Sequence, residues 1–154
     1  MKRFEKLVQP MLLVVIAATL VMVTPALAAV SCHKINANGV GQDNFDGTTD
    51  ARIIGGGLLQ GTTKGNFTVT GFDFPFVSIA GTVTFTTNKA TLTVTGEGSV
   101  DVTTGEFIFE GPVTGATGKL AGATGDLLFE GVEDLSDGSF VEDVTGKICV
   151  DLKP

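Results

Sequence analysis

The chain has 154 residues, with 17 acidic against 10 basic side chains, one histidine and neither tryptophan nor tyrosine. A net charge of −7 argues against nucleic acid and anionic membrane surfaces as partners. Its length fits one domain around one core, and 21 glycines among many threonines, valines and phenylalanines suit strands and tight turns better than helices.

The first 28 residues read as a signal peptide. Lys2, Arg3 and Lys6 precede the apolar run Met11 to Val23, which ends in Pro25-Ala26-Leu27-Ala28, and cleavage is expected after Ala28. The run has 13 residues, short of the about 20 that a membrane span needs. A lipid anchor on Cys32 is the other alternative, but Ala29-Val30-Ser31 lacks the large aliphatic residue that a lipobox places three positions before its cysteine. The mature chain, 29–154, is then a single secreted or periplasmic domain that does not span a membrane. It carries seven basic and sixteen acidic residues, a net charge of −9.

Two cysteines remain, Cys32 near the new N-terminus and Cys149 in the last apolar stretch, and in an oxidising compartment they should pair. The bond would close a loop of 116 intervening residues, and restricting the unfolded chain in that way is worth at most roughly 4 to 5 kcal/mol. His33 next to it stands alone, with no carboxylate placed by the sequence to make it a general base.

Along the mature chain apolar residues alternate with period two, and Gly or Asn turn signals break the pattern every eight to twelve residues, as in antiparallel strands. Cys32 to Ala37 opens the sheet, and Asn38 to Asp50 reads as a polar loop. Ile53 to Thr62 and Gly65 to Phe72 suggest a hairpin around Thr63-Lys64. Ile79, Gly81, Val83 and Phe85 share one face before a turn at Asn88-Lys89, and Leu92, Val94 and Gly96 continue it. Phe107, Phe109, Gly111 and Val113 form another strand, then Leu127, Phe129 and Gly131. The last strand alternates Phe140, Glu142, Val144, Gly146, Ile148 and Val150 against Val141, Asp143, Thr145, Lys147 and Cys149, and the second apolar set suggests burial on both faces. About eight antiparallel strands are enough to close a β-barrel and remove exposed edges. No segment reads as a helix longer than one turn.

Between the strands around Val113 and Leu127 the chain repeats Gly-Ala-Thr-Gly, at Gly115 to Gly118 and Gly122 to Gly125. Glycines so placed allow sharp turning and close backbone approach. This turn, with Leu127 and Phe129 after it and Gly55-Gly-Gly-Leu-Leu-Gln-Gly61-Thr-Thr earlier, resembles secreted bacterial proteins with an allene oxide cyclase-like barrel, and more distantly the plant cyclases and dirigent proteins. The resemblance implies an eight-stranded antiparallel calycin-like barrel with a central apolar cavity. It carries over no active site, since dirigent-type chemistry pairs acidic residues with tyrosine and tyrosine is absent.

No other motif assigns chemistry. Ser31, Ser78, Ser99, Ser136 and Ser139 lack a nucleophile elbow. Asp134-Leu-Ser-Asp137-Gly138 has Leu135 where a calcium loop needs an oxygen, and Asp43 to Asp50 matches no fixed spacing. The acidic segment Asp126 to Asp143, which includes Glu133 and Glu142, reads as a solvated hairpin. Glu106, Glu110 and Glu130 would suit glycoside hydrolysis only with aromatic sugar platforms that the chain lacks. Gly55 to Gly57 lead into no strand–helix unit and make no dinucleotide site. No cofactor or metal is expected.

Eight phenylalanines, Phe67, Phe72, Phe74, Phe76, Phe85, Phe107, Phe109 and Phe129, supply an interior, which in an eight-stranded barrel is either filled or holds one small ligand. Phe72 to Phe76 reads as core, with an apolar rim as the alternative. The leading expectation is an exported non-enzymatic barrel, structural or binding a small apolar molecule. An isomerase- or cyclase-like enzyme acting within the cavity is second, and a homo-oligomeric surface component third. Catalysis would require a buried ionisable group that a carrier can do without.

Overall fold

The computed structural model describes residues 30–151. The expected signal peptide and its cleavage site lie outside the described residues. Eight strands follow in order: β1 (Ser31–Asp43), β2 (Thr48–Gly55), β3 (Gly61–Asp73), β4 (Phe76–Thr86), β5 (Thr91–Asp101), β6 (Glu106–Ala116), β7 (Thr124–Glu133) and β8 (Ser139–Val150). Each pairs antiparallel with its neighbours in sequence, and β8 returns to β1, closing an up-and-down barrel. Closure pairs every inner strand twice and leaves no edge. Two single helical turns, Gly57–Leu59 and Gly118–Leu120, are the only departures from strand and loop among the described residues.

The closing seam runs from Ser31 opposite Val150 to Gln42 opposite Ser139. Cys32 faces Cys149 within it, with their Cα atoms 3.9 Å apart, and the two are disulfide-bonded. Cys32 therefore has no thiol left for a lipid. The bond staples the first strand to the last, the contact most distant in sequence.

Strand alternation sorts side chains into the barrel and out of it. Ile35, Ile53, Phe85, Leu92, Leu127, Val144 and Ile148 point inward and are almost completely buried. Leu59 and Leu120, one from each helical turn, are buried at the end where β1 begins and β8 ends. They cap the barrel there.

Gly118 and Gly122 have φ of 60° and 78°, and Gly125 lies against the Lys147 carbonyl, so three of the four repeat glycines meet a backbone need. Gly115 has ordinary φ and only loose contact with Thr93. Gly96 on β5 and Gly111 on β6 lie so close across the ladder that a Cβ on either would strike the opposite carbonyl, of Glu110 or Thr95. These glycines let the two backbones approach more closely than side chains would allow.

The early strands differ from expectation. β1 does not stop at Ala37, and Asn38–Asp43 belongs to it because Gly39 and Gly41 continue the inward set while Asn38, Val40 and Gln42 face out. The turn is only residues 44–47. No hairpin forms around Thr63-Lys64. The chain reverses at Gly55, Gly56 and Gly57, all with positive φ, and Lys64 sits inside β3, where its ammonium meets Asp50 at 2.9 Å across β2. On β8 the outer apolar set is not buried: Val141 is exposed, since nothing covers the barrel's outside there.

Candidate functional site

The rings of Phe67, Phe109, Phe129 and Phe85 form a chain across the interior, with successive centroids 5.3, 5.7 and 5.9 Å apart. Such edge-to-face and tilted contacts add to the burial of the rings themselves. On the side of this layer towards Leu59 and Leu120 the barrel is packed. On the other side it opens into a cavity of about 380 Å³, reaching the end formed by the β1–β2, β3–β4, β5–β6 and β7–β8 connections.

Two unlike walls enclose the cavity. Val69 on β3, Val77, Ile79 and Val83 on β4 and Val100 on β5 make an apolar wall. Opposite, β7, β8 and β1 contribute Glu133, Glu142 and Asp43 beside Phe140. Glu142 belongs to the inward set of β8, two residues from Phe140 and two from Val144. Its partner across the seam is Gly39, and a Cβ there would come within 2.5 Å of the Glu142 Oε1 atom. Gly41 likewise makes room for the Phe140 ring. Two glycines on β1 thus let a carboxyl and an aromatic ring fold over its backbone.

Burial pushes the Glu142 carboxyl up to about 7, with no hydrogen bond or cation to counter it. Glu133 is also pushed up to about 7, mainly by burial and then by the Asp43 carboxylate. Both therefore hold protons across a range in which a surface glutamate is ionised. Thr63, facing inward from β3, is the one buried polar residue of the described core and lines the same cavity.

The other carboxylates have local duties. Asp46, Asp101 and Asp134 accept hydrogen bonds from Thr48, Thr103 and Ser136 and so fold their own turns, which holds all three below the usual carboxylate range. Asp134 and Asp137 are spent on the β7–β8 turn, and no group of metal-ligating residues occurs among the described residues. Glu106, Glu110 and Glu130 face the barrel's exterior. His33 points inward near the disulfide, with its Nε2 buried and without a hydrogen-bond partner among the described residues, and does not line the cavity.

The structure corrects two expectations about side chains. Phe72, Phe74 and Phe76 are exposed around the β3–β4 turn at the open end and are not core, because β3 and β4 have run past the interior by that point. Glu142 and Glu133 do not belong to a solvated hairpin. Phe45, exposed with φ of 59° and held by its amide donating to Asp43 Oδ1, joins Val102 and Leu135 at the cavity mouth.

A second depression, of about 750 Å³, lies at the capped end, where Arg52, Lys89 and Lys119 surround Ile53, Leu58 and Leu120. Among the described residues no helix is long and apolar enough to cross a membrane. Neither a protein-family model nor a curated protein matches the sequence.

Proposed function

We propose that this protein is an exported carrier that holds one small, predominantly apolar molecule in the open half of its barrel. The observation that carries the reading is the division of the interior, packed on one side of the aromatic layer and hollow on the other. A cavity of about 380 Å³ falls within the range of small-molecule sites, and its lining of aromatic and aliphatic side chains with a few polar groups matches their usual chemistry. Signal-peptide features before Ala28 and the disulfide favour an oxidising compartment outside the cytoplasm. The resemblance to allene oxide cyclase-like barrels agrees with a ligand inside the barrel.

Glu142 favours one second reading, an isomerase- or cyclase-like enzyme. A carboxyl that stays protonated near neutral pH in an apolar site is equipped to give or take a proton.

Native mass spectrometry of the protein purified from its own host tests the carrier directly. A retained apolar molecule at one per chain is the expected result. Protein that is repeatedly bare, and that takes up nothing from a lipid extract of that host, would contradict it. Chemical alteration of the molecule taken up, abolished by Glu142→Gln, would replace the carrier with the enzyme.

A further inference from the structure

We propose that the ligand is a hydrophobic cation, an apolar body ending in a protonated amine, with the ammonium group against Glu142 and the body against the β3–β5 wall. The proposal rests on the carrier reading and adds the chemistry of the ligand's polar end.

Three observations lead to it. The cavity's ionisable groups are all acids: Glu142 from β8, Glu133 from β7 and Asp43 from β1 line it, and among the described residues no lysine, arginine or histidine does. Thr63 is only 5% exposed, faces the cavity from β3, and makes no side-chain hydrogen bond among the described residues. Gly39 is opened specifically around the Glu142 carboxyl, which has no protein partner to explain its position. The Thr63 hydroxyl and the Glu142 carboxyl face the cavity without a protein partner, so both are suited to a partner that arrives from outside.

The sign of that partner follows from charge. A fatty-acid carboxylate would bring negative charge beside Asp43 and make ionisation of Glu142 and Glu133 costlier still, which like-charge repulsion disfavours. A neutral alcohol would leave both glutamates in their protonated form and gain no charge pairing. An ammonium supplies up to three donors and the opposite charge, and the aromatic rings of Phe107 and Phe109 line the same space. No covalent step is involved. When the empty site holds a protonated Glu142 and the amine arrives as ammonium, binding releases one proton from Glu142 to the solvent. Glu133 and Asp43 are the titratable groups that share the cavity with it, and no basic side chain lining the cavity competes for the charge.

Calorimetric titration of the purified protein with octylamine, octanol and octanoate, near pH 6 in two buffers of different ionisation enthalpy, tests this. Octylamine should bind at least tenfold more tightly than octanol, octanoate least tightly, and octylamine alone should release about one proton per chain, as the linkage requires. Glu142→Gln should reduce the amine's advantage to within about threefold of octanol and abolish proton release. Thr63→Val provides a second variant, expected to weaken octylamine severalfold. Equal affinity for octylamine and octanol, or an amine advantage that survives Glu142→Gln, would overturn the cationic ligand while leaving the carrier in place. Failure of all three probes to bind would count against the carrier itself.

Discussion

The same eight strands build both ends of the barrel, yet at one end Leu59 and Leu120 plug the interior and a disulfide ties the seam, while at the other Glu142, Glu133 and Thr63 face an unfilled space. The contrast lies in what the inward positions carry. Towards the capped end they hold Ile35, Ile53, Leu92, Leu127 and Ile148, large enough to interdigitate. Towards the open end β1 offers Gly39, Gly41 and Asp43 instead. The packed side chains are concentrated in the first half and the cavity-facing carboxyls in the second, and the aromatic layer divides them.

Breaking the capped end should have the largest consequences. Cys149→Ser removes the cross-link over 116 intervening residues and is expected to cost up to about 4 kcal/mol, read as a lower denaturation midpoint that matches the wild type under reducing conditions. Leu120→Ala, emptying the plug, should cost about 2 to 5 kcal/mol by chemical denaturation. Val83→Trp at the open end makes the opposite test: in a packed core so large an insertion is disruptive, but here it has a cavity to enter. It should cost no more than about 1 to 3 kcal/mol and weaken ligand binding by taking up part of the cavity.

Titration separates two sets of carboxyls within the open end. Glu142 and Glu133 have folded-state values raised from 4.5 to about 7, so the folded chain binds more protons than the unfolded one between those values. Stability from these groups is full below about pH 4.5, falls as pH rises, and is lost above about 7. Thermal melts of the ligand-free protein should record that decline, and Glu142→Gln should flatten it, gaining about 1 to 3 kcal/mol at pH 8. The turn aspartates Asp46, Asp101 and Asp134 act with the opposite sign and in another window. Their lowered values give stability that is present above their ordinary value of 3.8 and disappears in more acidic solution. The smallest effect belongs to Phe74→Ala, whose exposed ring at the β3–β4 turn should contribute less than about 0.5 kcal/mol to stability.

Much of the capped half was legible in the sequence. Period-two alternation located the strands from Ile79 onwards, the two cysteines identified the seam, and the repeated Gly-Ala-Thr-Gly marked the turn that bears Leu120. The open half was harder because its inward residues are small or polar. Gly39 and Gly41 carry no hydrophobic signal, so β1 seemed to end at Ala37. Lys64 and Thr63 resembled a turn, although the lysine pairs outside the wall and the threonine faces the cavity. Alternation did place Glu142 in the inward set with Phe140 and Val144, but neighbouring acidic residues suggested solvent. The missing cue was its pairing with Gly39, since only the closing register between β8 and β1 brings that glycine opposite the carboxyl. The phenylalanines at 72, 74 and 76 misled in the other direction, because composition records aromatic content without recording where a strand leaves the core.

The most direct test of the hollow half is equilibrium titration of the protein with a neutral naphthalene fluorophore whose emission rises on leaving water. The wild type and Phe74→Ala should bind one molecule per chain with the same saturable affinity, while Val83→Trp, still folded, should bind at least about tenfold more weakly. Unsaturable binding by the wild type, or undiminished binding after tryptophan has taken up part of the cavity, would contradict a ligand site inside the barrel.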